Sequence, residues 1–251
     1  MQIFRKYGSS PFRVVLIHGG PGAIGEMEPV GRELAPDFGV LEPIQTETTI
    51  DEQVEELKVI LEEHTDQTVI LVGFSWGAWL SYIVAAEYPH LVKKLILVGS
   101  GPYEPQYLSQ IGETRMSRLT QAEREEYNAI IALLNDPTGE GKSEKFARLG
   151  QLANKTDRFD ALEIPYTRPG LDAAAGNQFH GVLKEAQEMR KDGRLLEFAD
   201  QIQCPVVAIH GGRHHFRAAL FHAADAGCGA HPVSYLQSFS PVVVSDHELE
   251  T

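Results

Sequence analysis

The feature that most constrains this chain is the pentapeptide Gly73-Phe74-Ser75-Trp76-Gly77, which separates two regular patterns. Residues 68–72 form an apolar run typical of a buried strand, and residues 78–88 have the pattern of a helix. A strand that turns sharply into a helix strains the backbone at the corner, and side chains two residues away on either side would collide there. The pattern therefore predicts that Ser75 lies at a tight strand-to-helix turn, exposed as a nucleophile.

A second motif lies upstream of this turn. Residues 12–17 form another apolar strand, and it ends in the glycine-rich stretch His18-Gly19-Gly20-Pro21-Gly22. Acyl transfer needs two N–H donors for the oxyanion of its tetrahedral intermediate, one from the residue after the nucleophile and one from a loop of this kind. The backbone amides of Trp76 and Gly20 are the candidates for this oxyanion hole. The alternative is a simple tight turn whose glycines supply positive φ.

The two motifs occur in the right order, and each closes a separate apolar strand. With H-G-G-P-G and S-W-G, the chain resembles the α/β-hydrolase superfamily, and in particular its proline-iminopeptidase-like members. The resemblance extends from residue 12 to about residue 210 in the succession of elements. One position departs from it, because Phe74 stands where those peptidases commonly carry glycine.

The alternation of strands and helices along the chain predicts the same fold class. A helix is expected over residues 26–34 and a strand over residues 40–44, followed by the T-x-x-E capping box of Thr49 and Glu52. Further strands are expected at residues 94–98 and 205–209. This order predicts an α/β-hydrolase fold, with a mostly parallel central sheet and helices on both faces. In such sheets ligands bind beyond the carboxyl ends of the strands, where both motifs lie.

Residues 102–203 contain helical patterns and no convincing strand. We therefore expect a helical cap over this range, inserted into a core made of residues 1–101 and 204–251. The resemblance implies that this cap covers the active site and selects the substrate.

Composition limits the partners and the location of the protein. At 251 residues the chain is long enough for one large α/β domain, and its formal charge of −13 argues against nucleic acid or an anionic membrane as the main partner. No apolar run approaches the roughly 18 residues of a membrane span, and no leader precedes the first strand, so we expect a cytoplasmic protein. The two cysteines, Cys204 and Cys228, are too few for a disulfide framework, and Cys204 is expected in the core.

A serine hydroxyl needs a histidine to take its proton, and the histidine needs a carboxylate to orient it. The resemblance implies that the carboxylate follows the strand ending at Ile209, but residues 210–216 read His-Gly-Gly-Arg-His-His-Phe and contain no acid. Asp225, farther along the chain, and Glu104, after the strand ending at residue 98, are the alternatives. Both could equally be surface charges.

His247 is the candidate base, because it follows an apolar run at residues 241–244 as the family pattern requires. Only four residues follow it, so the alternative is a frayed terminal residue. Six of the ten histidines lie from residue 210 onward, a change of composition that a shifted reading frame near Gly211 would explain. His214 and His215 are adjacent and lack a nearby carboxylate, so no metal site is expected.

Two functions remain open at this point. The first is a serine hydrolase that cleaves an ester or amide of a small substrate through an acyl-enzyme on Ser75, without metal or organic cofactor. Proline release and esterase chemistry are both compatible with it. The second is a catalytically impaired hydrolase fold that binds a ligand or a partner protein. The sequence does not determine the oligomeric state.

Overall fold

The structure is a computed structural model, and it describes residues 3–20, 22–65, 67–136, 142–157, 180–210 and 234–236. Its strands are β1 (Phe4–Tyr7), β2 (Phe12–Ile17), β3 (Gly39–Pro43), β4 (Val69–Phe74), β5 (Val92–Val98), β6 (Val206–Ile209) and β7 (Ser234–Leu236). Its α-helices are α1 (Glu28–Leu34), α2 (Ile50–His64), α3 (Trp76–Glu87), α4 (Leu108–Ser117), α5 (Gln121–Asn135), α6 (Lys142–Asp157), α7 (His180–Asp192) and α8 (Arg194–Glu197).

The strands form one sheet in the order β1-β3-β2-β4-β5-β6-β7. β1 is antiparallel to β3, and every other neighbouring pair is parallel. Parallel strands need long crossover connections, and here α1, α2 and α3 supply them between the first strands. The predicted fold class, a mostly parallel sheet with helices, is confirmed.

The alternation of side chains along β2 shows how both faces of the sheet are covered. Val15 and Ile17 belong to the main core cluster with residues of α2, α3 and α7, whereas Val14 and Leu16 pack with Met27 and other residues near α1. Successive side chains of a strand point to opposite faces, so a strand covered on both faces is apolar throughout. This explains why the run at residues 12–17 contains so few polar residues.

Helix α2 begins where the capping pattern predicts. The Thr49 side chain accepts a hydrogen bond from the backbone N–H of Glu52 at 3.3 Å. The expected apolar face is buried, with Val54, Leu57 and Leu61 at most 3% exposed. Because this face packs into the main core cluster, the helix is fixed against the sheet beside α3.

The helices between β5 and β6 belong to two separate hydrophobic clusters. Helices α4–α6 surround a cluster of their own that includes Leu119, Ile130 and Leu152. Helix α7 instead packs into the main core through Val182 and Ala186, and Glu185 Oε2 accepts a hydrogen bond from the backbone N–H of Ile50 at 2.9 Å. The helical cap over residues 102–203 remains a prediction.

Two strands were not predicted from the sequence. β1 is a short antiparallel strand, and β7 pairs with β6 from a segment whose neighbours along the chain are not described. The predicted strand at residues 241–244 and Cys228 lie outside the described residues, whereas Cys204 is buried as expected. Among the helices that the structure describes, none is long and apolar enough to cross a membrane.

Candidate active site

Ser75 occupies the strained turn that the sequence predicts. It is the residue before α3, with φ of 55° and ψ of −112°, and among the described residues it is the one non-glycine with positive φ. A Cβ on Gly73 would lie 2.2 Å from the carbonyl oxygen of Gly77, and a Cβ on Gly77 would lie 2.4 Å from that of Ile17. Both contacts are far too short, so only glycine permits this turn. The Ser75 N–H donates to the Val98 carbonyl at 3.0 Å, which fixes the turn to the end of β5.

The glycine-rich loop after β2 lies directly against this serine. A Cβ on Gly19 would be 3.2 Å from the Cβ of Ser75 and 2.8 Å from Oε2 of Glu26. Gly20 follows with φ of 112°, and the Ala23 N–H closes the turn by donating to the Gly19 carbonyl at 3.3 Å. The structure thus brings together two motifs that are more than fifty residues apart in the chain.

The two expected oxyanion donors lie in these adjacent segments. Within the described residues, neither the Gly20 N–H nor the Trp76 N–H has a hydrogen-bond acceptor. The Trp76 amide also belongs to the first turn of α3, where the helix dipole favours negative charge. The arrangement provides one unused N–H at a helix N-terminus and another in the glycine loop that lies against the strained serine, which suits an oxyanion.

The Trp76 side chain is anchored behind the site. Its Nε1 donates to Oε1 of Gln53 at 3.1 Å, and Gln53 Nε2 donates to the Glu47 carbonyl at 2.8 Å. Trp76 is 4% exposed and Gln53 is fully buried, so each polar group needs its partner. This chain of bonds fixes the residue whose amide is the expected donor.

His18 supports the loop and was not assigned a role from the sequence. Its ring is fully buried, with Nδ1 2.8 Å from the Gly19 carbonyl oxygen and Nε2 accepting from the Gln45 N–H at 3.4 Å. Burial lowers the pKa of His18 to about 4, so the ring is neutral and carries its proton on Nδ1. Both ring nitrogens are used in these bonds. His18 therefore positions the loop, and its place at the end of a buried strand was the available sequence signal.

Glu104 is the described candidate for the acid. It lies just after β5, where Oε1 accepts from Gln106 Nε2 at 3.2 Å. Its Oε2 is buried and has no hydrogen-bond partner in the described part of the chain. Burying a carboxylate oxygen without a hydrogen bond is unfavourable for the folded state, so we expect a donor to lie next to this atom.

The other predicted members of the triad cannot be placed. Asp225, His247 and the pair His214 and His215 lie outside the described residues. The structure does describe the ends of β5 and β6, which the Gly99 N–H joins by donating to the Ile209 carbonyl at 2.9 Å. Among the described residues, no group of three or more histidine, cysteine, aspartate or glutamate side chains could hold a metal ion.

A family model described as the alpha/beta hydrolase fold matches residues 13–213. The chain belongs to this family. The superfamily resemblance seen in the sequence is thereby confirmed, and the strained serine, the glycine loop and the parallel sheet have the places that an α/β-hydrolase requires. The match ends close to the point where the composition of the chain changes, and it does not include Asp225 or His247.

Solved structures of α/β-hydrolases are similar to this one over most of its length. A protein from Nostoc sp. PCC 7120 assigned to the α/β-hydrolases is 16% identical with a TM-score of 0.65, over 93% of this chain and 86% of its own. An α/β-hydrolase from Sphaerobacter thermophilus DSM 20745 is 19% identical with a TM-score of 0.57, over 96% and 90%. The enol-lactonase from Burkholderia xenovorans LB400 is 14% identical with a TM-score of 0.54, over 94% and 87%. At these identities the likeness concerns the fold alone. No curated protein sequence matches this α/β-hydrolase.

Proposed function

We propose that this protein is a serine hydrolase that cleaves an ester or amide of a small molecule through an acyl-enzyme on Ser75. The observation that carries the proposal is the contact between the strained serine and the glycine loop, with Gly19 against the Cβ of Ser75. A residue held at φ of 55° stores conformational strain, which a fold maintains where function requires it.

The proposed reaction has two steps. Ser75 Oγ attacks the substrate carbonyl carbon while a base takes the hydroxyl proton, and the carbonyl oxygen becomes an oxyanion that accepts from the Gly20 and Trp76 amides. The intermediate collapses to the acyl-enzyme, and the leaving group departs with the proton. Water then attacks the acyl group in the same way and releases the acid. His247 is the proposed base, on the sequence pattern alone.

We assign Glu104 as the acid that orients this base. Its buried Oε2 has no partner among the described residues and could accept from an imidazole N–H. Its segment follows β5, whose last residue, Val98, accepts a hydrogen bond from the Ser75 N–H. Asp225 remains the alternative from the sequence.

Two substrate classes are compatible with this proposal, peptides with N-terminal proline and simple esters. The H-G-G-P-G and S-W-G motifs support an aminopeptidase-like hydrolase that releases proline, whereas Phe74 departs from that pattern and is compatible with an esterase. The helices α4–α6, which pack around their own cluster, are the proposed cap that selects between substrates.

Reaction with a fluorophosphonate tests the proposal, because only an activated serine is labelled rapidly. We expect labelling of the purified protein and none of the Ser75→Ala variant. Ser109 is exposed on α4, so the Ser109→Ala variant should be labelled like the wild type. An activated short-chain ester measures turnover in the same samples.

A second candidate function is ligand or partner binding by an impaired hydrolase. The absence of a carboxylate from residues 210–216 favours it. Loss of the triad acid alone lowers turnover by about four orders of magnitude while binding survives. A well-folded protein without labelling at Ser75 would support this function and exclude the serine hydrolase.

A further inference from the structure

The last residue of β4, Phe74, places an aromatic ring beside the proposed nucleophile. Its Cδ1 atom lies 3.2 Å from the point where a Cβ of Gly19 would be, and the Cβ of Ser75 lies at the same distance from that point. On its other side the ring faces Gly99, with Cε2 3.4 Å from the point where a Cβ of that glycine would be. The ring therefore spans the gap between the glycine loop and the residue that follows β5.

The sheet fixes the direction of this side chain. Val72 and Phe74 are two residues apart on β4, so they point to the same face, and both pack against the cluster that contains Leu16 and Met27. Phe74 is also paired in register with Val98 of β5. The ring lies between backbone on two sides and apolar side chains on its own face, so it has little room to move aside for a larger ligand.

Phe74 and Ser75 are both partly exposed, although the residues before and after them, Gly73 and Trp76, are buried. Because both side chains lie against Gly19, a substrate bound to Ser75 has the ring of Phe74 as a neighbour. The ring therefore takes up space next to the place where the scissile carbonyl group must lie.

This space matters most for the carbon of the acyl group that is bonded to the scissile carbonyl. An unbranched chain extends from this carbon in one direction, which can be away from the ring, whereas a branched or cyclic group extends in two. Forcing extra carbon atoms into a filled site is unfavourable, and a pocket distinguishes groups that differ by one methylene by about 10–200-fold.

We propose that Phe74 is a specificity-determining residue that limits the substrate to acyl groups unbranched at the carbon next to the scissile carbonyl. The inference rests on the proposed function, and it narrows the substrate class to small esters or amides of straight-chain acids. A prolyl group, whose ring includes this carbon, falls outside the class.

Smaller residues at position 74 test the proposal. The substrates are 4-nitrophenyl butyrate and 4-nitrophenyl cyclopentanecarboxylate, which share a leaving group and differ at this carbon. We expect Phe74→Ala to raise kcat/KM for the cyclopentanecarboxylate relative to the butyrate by about 10–200-fold over the wild-type ratio. Phe74→Leu should raise the ratio less. A general loss of activity cancels in the ratio.

The control is Phe12→Ala, because Phe12 is also partly exposed but begins β2, at the opposite end of that strand from the glycine loop. This variant should keep the wild-type ratio. Thermal unfolding of each variant checks that the fold is intact, and if Phe74→Ala does not fold, the smaller rise in Phe74→Leu decides the question. An unchanged ratio in the folded Phe74 variants, or an equal change in Phe12→Ala, would overturn the inference.

Two further measurements separate this inference from the proposed function. Fluorophosphonate labelling of the wild type reports on the activated serine alone. Titrations followed by ligand-observed NMR in the Ser75→Ala background report on the space alone, and adding Phe74→Ala there should raise the affinity for cyclopentanecarboxamide relative to butyramide. If the wild type is not labelled but this rise is found, the hydrolase proposal fails and the steric limit stands. If labelling occurs and Phe74→Ala changes neither ratio, the inference fails and the hydrolase proposal stands.

Discussion

The indole Nε1 of Trp76 donates a 3.1 Å hydrogen bond to Oε1 of Gln53, and both side chains are buried. Replacing Gln53 with methionine keeps the volume and leaves the buried indole N–H without its acceptor, while the carbonyl of the exposed Glu47 loses its Gln53 donor. We expect a loss of about 1–3 kcal/mol in the free energy of unfolding, measured by urea denaturation. The rate of Ser75 labelling should also fall, because Trp76, whose amide is the proposed oxyanion donor, loses its anchor.

The control for this change is Gln203→Met, at an exposed position before β6. Its free energy of unfolding should stay within about half a kilocalorie per mole of the wild type. Equal free energies of unfolding for Gln53→Met and the wild type would mean that the buried hydrogen bond between Trp76 and Gln53 does not stabilise the fold.

Gly77 permits the close approach of α3 to the end of β2. A Cβ there would lie 2.4 Å from the Ile17 carbonyl oxygen and 2.6 Å from that of His18, and both are backbone atoms that cannot move aside easily. We expect Gly77→Ala to lower the free energy of unfolding by more than about 2 kcal/mol and to abolish labelling of Ser75. Urea denaturation and fluorophosphonate reaction measure the two effects.

Gly112→Ala provides the opposite case. Gly112 lies in α4, and nothing lies within 4 Å of a Cβ built on it. Since alanine is the better helix former by about 1 kcal/mol, this substitution should stabilise the protein slightly and leave labelling unchanged. Similar behaviour of the two alanine variants would contradict the steric explanation of the turn.

The sequence was sufficient for the fold and for the two motifs that meet at Ser75. The strand before Ser75, the capping at Thr49 and the glycine loop are local patterns, and each depends on neighbours a few residues away. The role of His18 could not be predicted, because it depends on contacts that form only when two distant segments pack at the same sheet edge. β1 could not be predicted for a similar reason. Its four residues are too few to form a stable strand alone, and they are held in the strand conformation by pairing with β3.

The buried ring of His18 makes stability depend on pH. Burial lowers its pKa to about 4 in the folded protein, from an ordinary value of 6.5, so below pH 6.5 the unfolded chain takes up a proton that the folded one does not. The contribution of this histidine to stability is therefore complete above pH 6.5 and is lost as the pH falls to about 4. The loss amounts to about 3 kcal/mol at most.

The His18→Asn variant checks this assignment. Asparagine can keep a donor near the Gly19 carbonyl, but it does not titrate, so the free energy of unfolding of this variant should fall less steeply between pH 7 and pH 4 in urea denaturation. The variant will be less stable than the wild type at neutral pH, and the two curves should converge in acid. Parallel curves would show that folding does not lower the pKa of His18.

Glu104 has a buried carboxylate oxygen without a hydrogen-bond partner among the described residues, and it follows β5, whose last residue accepts a hydrogen bond from the Ser75 N–H. If the residue serves stability alone, neutralising it should cost nothing or help, because an unpaired buried carboxylate oxygen is unfavourable. If it orients a catalytic histidine, Glu104→Gln should lower turnover and the rate of Ser75 labelling by about two to four orders of magnitude. We therefore expect a large loss of activity without a loss in the free energy of unfolding.

The control is Glu113→Gln, at an exposed position on α4, which should change neither quantity. Full activity of Glu104→Gln would transfer the role to Asp225, and comparing His247→Ala with the exposed His90→Ala would then test the base separately.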